Sequence, residues 1–178
     1  MTKIFLAIGL SLAAFFNVNA QHNHAQHGAA TPPQSTSAAS AKDKSPDEQI
    51  QALYIHYLGI KDALVADDQS KAASHANQFS QTASLISYRH LSEGNVNALR
   101  KDASAIADAR DIAAQRKSFS NLSNNMAALA EKCKLSDKPV YQQYCPMAKA
   151  YWLSNEKEIK NPYYGSSMLT CGSVKKTF

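Results

Sequence analysis

Two pairs of sulfur-bearing side chains near the C-terminus are the residues in this sequence best suited to chemistry. Cys145 and Met147 form a Cys-x-Met pair, and Met168 and Cys171 form a Met-x-x-Cys pair. Thiolates and thioethers are soft donors, which suit Cu(I) better than Mg²⁺ or Ca²⁺. Zinc fits less well, because it prefers thiolate, imidazole and carboxylate ligands. The residue types therefore predict a Cu(I) site if the two pairs converge.

The same two cysteines also fit a structural role. In an exported protein, Cys145 and Cys171 could be joined by a disulfide, with the two methionines as bystanders. The chain has three cysteines, so one thiol must stay free, pair between chains or hold a metal. We expect Cys133 to be a small buried hydrophobe at the end of a helix. Spacing alone leaves the metal site and the disulfide open.

The first 20 residues have the layout of a secretory signal peptide. Lys3 precedes an apolar stretch over 4–16, and Val18-Asn19-Ala20 is a small-residue cleavage signal. The apolar stretch is too short for a permanent membrane span, and no later stretch is long enough. We therefore expect a periplasmic protein that begins at Gln21 and does not insert into the membrane.

Residues 21–44 are predicted to form a flexible, His-rich linker. Their composition is dominated by Gln, His, Ala, Ser, Thr and Pro without apolar periodicity, so little surface could be buried to offset the entropy of ordering. His22, His24 and His27 lie close together, and short His-rich tracts bind metals through neutral imidazole. We interpret these histidines as a weaker Cu(II) or loading site, ahead of a metal-binding domain over 45–178.

Apolar periodicity predicts four amphipathic helices in that domain. The first spans 46–66 and opens with the cap signals Ser45, Pro46 and Glu48. The second spans about 69–88, the third carries Val96 to Ile106, and the fourth begins near Asp108. Short connections favour an antiparallel four-helix bundle and an all-α fold class. The third and fourth helices could instead form one long helix.

The segment from Lys134 onward breaks the helical pattern. Several prolines and glycines forbid a long helix, and six aromatic residues lie within 141–164. We expect an irregular tail that wraps over the bundle with its aromatic rings against helix faces, with one short helical turn over 154–159. His56, on the first helix, could reach the tail and complete the metal site.

Other classes of function have little support. Net charge is +5, but lysines and arginines are scattered among acids rather than gathered in a basic stripe, so no nucleic-acid partner is expected. The sequence has no Gly-x-Ser-x-Gly, no His-Glu-x-x-His and no Gly-rich phosphate loop. Asp67-Asp68 is better explained as a helix cap than as a catalytic acid pair. The chain is not expected to be an enzyme.

Parts of the sequence resemble an uncharacterised-domain family of periplasmic proteins, typical of Bacteroidetes. The resemblance covers roughly 48–174, including 57–68 and 115–123 in the helices. It is most specific in the tail, in Cys145-Pro146-Met147, Trp152-Leu153-Ser154, Asn161-Pro162-Tyr163-Tyr164-Gly165 and Met168-Leu169-Thr170-Cys171-Gly172.

That family's domain also occurs fused to periplasmic adaptor subunits of copper and heavy-metal efflux pumps. The resemblance implies a helical, heavy-metal-binding domain with Cys145, Met147, Met168 and Cys171 as the ligands of copper. It also implies an efflux adaptor or another envelope protein as partner. The histidine that commonly follows the Cys-Pro-Met motif in efflux proteins is absent here, since Ala148 and Lys149 stand in its place.

Overall fold

A computed structural model of the chain describes residues 45–178. The predicted signal peptide, the His-rich linker and the histidines His22, His24 and His27 lie outside the described residues. Within the described part, no helix is both long and apolar enough to cross a membrane.

Residues 45–178 contain four α-helices, as the periodicity predicts. The N-terminal cap of the first is the expected capping box: the Ser45 N–H donates to the Glu48 carboxylate (2.7 Å) and the Glu48 N–H donates to the Ser45 hydroxyl (3.3 Å). Sequential helices pack against each other around a shared core. The helices are α1 (Pro46–Val65), α2 (Gln69–Ser84), α3 (Glu93–Ala107) and α4 (Ile112–Ala130).

Side chains form hydrogen bonds with the backbone near the boundaries of the later helices. The second helix ends at Ser84 rather than near residue 88, and the Ser87 N–H donates to the Gln49 side chain (3.1 Å) instead of to a helix carbonyl. Helices α3 and α4 are separate, because the Asp111 carboxylate accepts the Ala114 N–H (2.8 Å) and starts a new helix. The alternative of one long helix is therefore wrong.

The expectation of an all-α fold with an irregular tail is wrong for the C-terminal part. This part forms a three-stranded antiparallel sheet in the order β2-β1-β3. Aromatic residues such as Tyr144 and Trp152 lie in these strands and favour the pleated, half-buried conformation. The strands are β1 (Tyr141–Cys145), β2 (Ala150–Ser154) and β3 (Ser173–Thr177).

The helical turn expected over 154–159 is also absent. Ser154 is the last residue of β2, and its hydroxyl accepts the Glu156 N–H (3.0 Å) in a local turn. The carbonyls of residues 156–158 all converge on the Gln143 amide nitrogen, at 2.9 to 3.2 Å. These carbonyls bind the sheet instead of forming hydrogen bonds along a helix.

An aromatic column joins the sheet to the helices, and the prediction that aromatic rings of the tail lie against helix faces is confirmed for Tyr163. Tyr57 of α1 packs on Phe119 of α4 (5.2 Å between ring centroids), and Phe119 packs on Tyr163 (5.8 Å). Tyr163 in turn meets Trp152 of β2 edge-on (6.1 Å). The Tyr57 hydroxyl also accepts the Leu153 N–H (2.9 Å), so α1 holds β2 directly.

Candidate metal centre

The fold brings the two cysteines together. Cys145 is the last residue of β1 and is fully buried, while Cys171 precedes β3 and is half-buried. Their sulfur atoms lie 3.8 Å apart, and both thiols are free. The predicted convergence of the two motifs is thus present for their cysteines.

The sulfur separation distinguishes a disulfide from a dithiol pair. A disulfide bond is about 2.05 Å long, so sulfurs 3.8 Å apart are not bonded. Metal–thiolate bonds of about 2.3 Å at a near-tetrahedral angle place two ligand sulfurs about 3.8 Å apart. The pair therefore has the spacing of two thiolate ligands to one ion before any rearrangement.

The two methionines lie on the segments that surround Cys171. Met147 is in the turn between β1 and β2, and its backbone N–H faces the Cys171 sulfur. Met168 ends a 3-10 turn (Gly165–Met168), and its carbonyl accepts the Cys171 N–H (3.1 Å). The two residues are 60% and 40% exposed, respectively. Flexible thioethers at the solvent edge of a thiol pair can close over a bound soft ion.

The surroundings of Cys171 favour its protonated form. Burial raises the pKa of the Cys171 thiol, and the neighbouring Cys145 raises it further, against a smaller lowering by the Met147 N–H. The Cys145 sulfur accepts the Ala148 N–H (3.3 Å). A metal ion that binds here must displace a tightly held proton, so binding is coupled to pH.

Asn161 holds the backbone that carries Cys171. Its side-chain N–H donates to the Cys171 carbonyl (2.8 Å), and its backbone N–H donates to the Leu169 carbonyl (2.8 Å). Its side-chain oxygen accepts the Tyr163 N–H (2.8 Å), which ties the loop to the aromatic column. Asn161 is fully buried. Because this short, buried residue forms all of these hydrogen bonds, it fixes the loop over 161–171.

Gly172 allows this loop to approach the sheet closely. Its φ is +154°, and a Cβ at this position would lie 2.8 Å from the Trp152 ring and 3.0 Å from the Tyr144 carbonyl. A side chain there would push the loop away from β1 and the Cys171 sulfur away from Cys145. The neighbours that exclude a side chain at Gly172 lie on β1 and β2, so no local pattern in the sequence indicates them.

An ion pair fixes the 3-10 turn that carries Met168. The Arg116 guanidinium of α4 binds the Asp67 carboxylate (2.5 Å) and the carbonyls of Leu64 and Pro162 (both 2.9 Å). The Asp67 carboxylate also accepts the N–H and hydroxyl of Ser166 (3.1 and 2.7 Å). The ends of α1 and α4 thereby hold the segment two residues before Met168. The sequence does not predict this contact, because Asp67, Arg116 and Ser166 are far apart in the chain and no local pattern connects them.

Replacing Asp67 by asparagine should make the protein less stable at neutral pH but not near pH 2. The hydrogen bonds from Ser166 and Arg116 lower the pKa of Asp67 to about 2. Since the folded-state pKa is below the unfolded value of about 3.9, the contribution of this carboxylate is complete above about pH 5 and is lost as the pH falls towards 2. Melting curves of both proteins from pH 2 to 7 measure this. A stability gap that stays constant over that range would contradict the assignment.

The other candidate ligands do not join the thiol pair. His56 lies against α2, where burial lowers its pKa, the neighbouring His75 lowers it further, and Gln78 forms a hydrogen bond with it. Cys133 follows α4, half-buried, in a wall of a separate cavity with Phe178. Across residues 45–178, no three His, Cys, Asp or Glu side chains are grouped as a metal site. The thiol pair and its thioether neighbours therefore constitute the candidate centre in the described part.

The fold and this centre define a class: a four-helix domain with an appended three-stranded sheet that holds a paired dithiol. Residues 53–138 match the family model described as a protein of unknown function (DUF3347). This match supports the expected resemblance to an uncharacterised-domain family over that segment. The matched segment ends before Cys145, so the thiol pair lies outside it. Comparison with curated proteins and with solved structures finds no match.

Proposed function

We propose that this chain is an exported, periplasmic copper-binding protein that buffers Cu(I) or delivers it to an export or resistance system. Cys145 and Cys171 supply two thiolates, and Met147 and Met168 supply thioethers from the solvent edge. Copper is the cargo of this site, and an efflux adaptor or another envelope protein would receive it. In this proposal His22, His24 and His27 collect Cu(II) or load the centre.

One observation carries the proposal: two free thiol sulfurs lie 3.8 Å apart, with a methionine on each adjoining segment. Soft sulfur donors select Cu(I) over the harder divalent ions. The exposure of both methionines supports exchange with a partner, because a bound ion at the edge can be reached without unfolding the domain. The two thiolates also supply negative charge at the site, which two thioethers alone would not.

Thiol counting and metal analysis on the full chain test the proposal. The protein is purified from the compartment to which it is exported, without added metal or reductant. We expect free or metal-bound thiols at Cys145 and Cys171, together with stoichiometric copper. Zinc in place of copper, or no metal, would contradict the assignment of the cargo.

The rival function is a structural or interaction module of the cell envelope with a Cys145–Cys171 disulfide. Cys145 is buried within the sheet, which favours a structural role, since a cross-link there would join β1 to the loop before β3. A quantitative disulfide in the purified protein would favour this rival. Free thiols without copper would support neither function.

A further inference from the structure

The two thiols differ in their access to solvent. Cys145 has no exposed surface and lies on the central strand of the sheet, flanked by β2 and β3. Cys171 is partly exposed and lies between the 3-10 turn and β3. Cys171 is therefore the residue of the pair that a small molecule can reach, while Cys145 is covered. Such an arrangement gives the two thiols different tasks.

We propose that this pair performs ordered thiol–disulfide exchange with small-molecule disulfides, with Cys171 as the entry thiol and Cys145 as the resolving thiol. The exchange itself needs no metal. A Cys145–Cys171 disulfide removes both thiolate ligands, so the exchange would also control copper binding. This part of the inference rests on the proposed function. Reduction by two equivalents of a small thiol restores both ligands.

The exchange proceeds in two balanced steps. Cys171 first gives up its proton to solvent, and the resulting thiolate attacks one sulfur of a disulfide R–S–S–R. The S–S bond breaks, and the leaving R–S⁻ takes up a proton. The Cys145 thiolate then attacks the Cys171 sulfur of the mixed disulfide and releases the second R–S⁻, which takes up the proton from Cys145. The protein loses two electrons and two protons, and the small disulfide becomes two thiols.

The geometry favours the second step. The sulfurs need to approach by about 1.8 Å, from 3.8 Å to bonding distance. The Ala148 N–H holds the Cys145 sulfur (3.3 Å), and Asn161 holds the Cys171 carbonyl (2.8 Å), so both partners start in fixed positions. The resolving attack therefore takes place within a preorganised pair, where the effective concentration of the second thiol is high.

Single-cysteine variants distinguish the two roles. All proteins carry Cys133→Ser, so that the third thiol does not react, and contain a metal chelator. Each is incubated with oxidised glutathione at neutral pH, and adducts are followed by intact mass. With Cys145→Ser, we expect a glutathione adduct on Cys171 that accumulates and persists. With Cys171→Ser, we expect the adduct on Cys145 to form at least about tenfold more slowly, because burial blocks access.

With both thiols of the pair present, we expect the internal disulfide to form with little remaining adduct. Equal rates in the two variants, or faster reaction at Cys145, would overturn the inference. Persistence of the mixed disulfide when both thiols are present would overturn it as well. Near-UV circular dichroism checks that each variant is folded. When the rates are measured again in denaturant, the difference between Cys171 and Cys145 should disappear, since it arises from the fold. The assay contains no metal, so it can fail while copper binding holds.

Discussion

Replacing Cys145 and Cys171 together by serine should weaken Cu(I) binding by on the order of a hundredfold or more. Loss of groups that merely orient a ligand costs about 10- to 100-fold in metal affinity, and here both thiolates are removed. Hydroxyl groups are hard, neutral donors that do not replace them. A competition titration of the reduced chain against a Cu(I) chelator measures the change.

Matched variants make this titration specific. Cys133→Ser removes a thiol that lies outside the pair and should leave the affinity unchanged. Met147→Leu and Met168→Leu keep the apolar volume of each side chain but remove the thioether, so each should weaken binding less than loss of the thiolates. Unchanged affinity in the Cys145/Cys171 double variant would contradict the copper assignment.

The same titration should depend on pH. The pKa of Cys171 is raised, so its thiol is protonated at neutral pH and the metal must displace that proton. The apparent affinity for Cu(I) should therefore fall as the pH falls, by about tenfold per pH unit for each proton displaced. The Cys145/Cys171 double variant should lose this dependence.

Replacing Phe119 by alanine should cost about 3 to 5 kcal/mol of folding stability. The ring is fully buried between Tyr57 and Tyr163, where it joins the helices to the loop that holds Cys171. Removing it leaves a cavity and frees Tyr163 on one side. Because domains of this size are stable by about 5 to 15 kcal/mol in total, the loss is a large fraction. Denaturant unfolding at neutral pH measures it.

Phe79→Ala is the matched control for this substitution. Phe79 is also fully buried, but it belongs to α2 and has no ring contact with the aromatic column among the described residues. We expect a similar loss of stability in both variants. Only Phe119→Ala should also change the reactivity of the Cys171 thiol, since Tyr163 and Asn161 share a hydrogen bond. Equal thiol reactivity in both variants would show that the column does not position the site.

The helical part of the fold follows largely from local sequence. The hydrogen bonds of a helix join residues four apart, so apolar periodicity and caps such as Ser45 and Asp111 are encoded within a few residues. Gln115, a polar residue of α4, is also buried, because its amide N–H groups bind the carbonyls of Gln69 and Ile106. In the described part of the chain, the four helices predicted from periodicity and caps are confirmed.

The sheet could not be derived in the same way. Each strand has only five residues, and its backbone partners are distant, since Tyr144 of β1 pairs with Ser173 of β3. Two adjacent residues of β2, Trp152 and Leu153, are both fully buried, which hides the alternation typical of a strand. Prolines and glycines around these strands favour the interpretation of an irregular tail.

The sequence by itself determined which atoms are available for chemistry: two thiols and two thioethers in short motifs near the C-terminus. Only the tertiary structure decided that Cys145 and Cys171 lie 3.8 Å apart and that one is covered while the other is not. That distance depends on the Asn161 hydrogen bonds and on the close approach at Gly172. These contacts join residues that are not neighbours in the chain, so the spacing of the motifs does not indicate them.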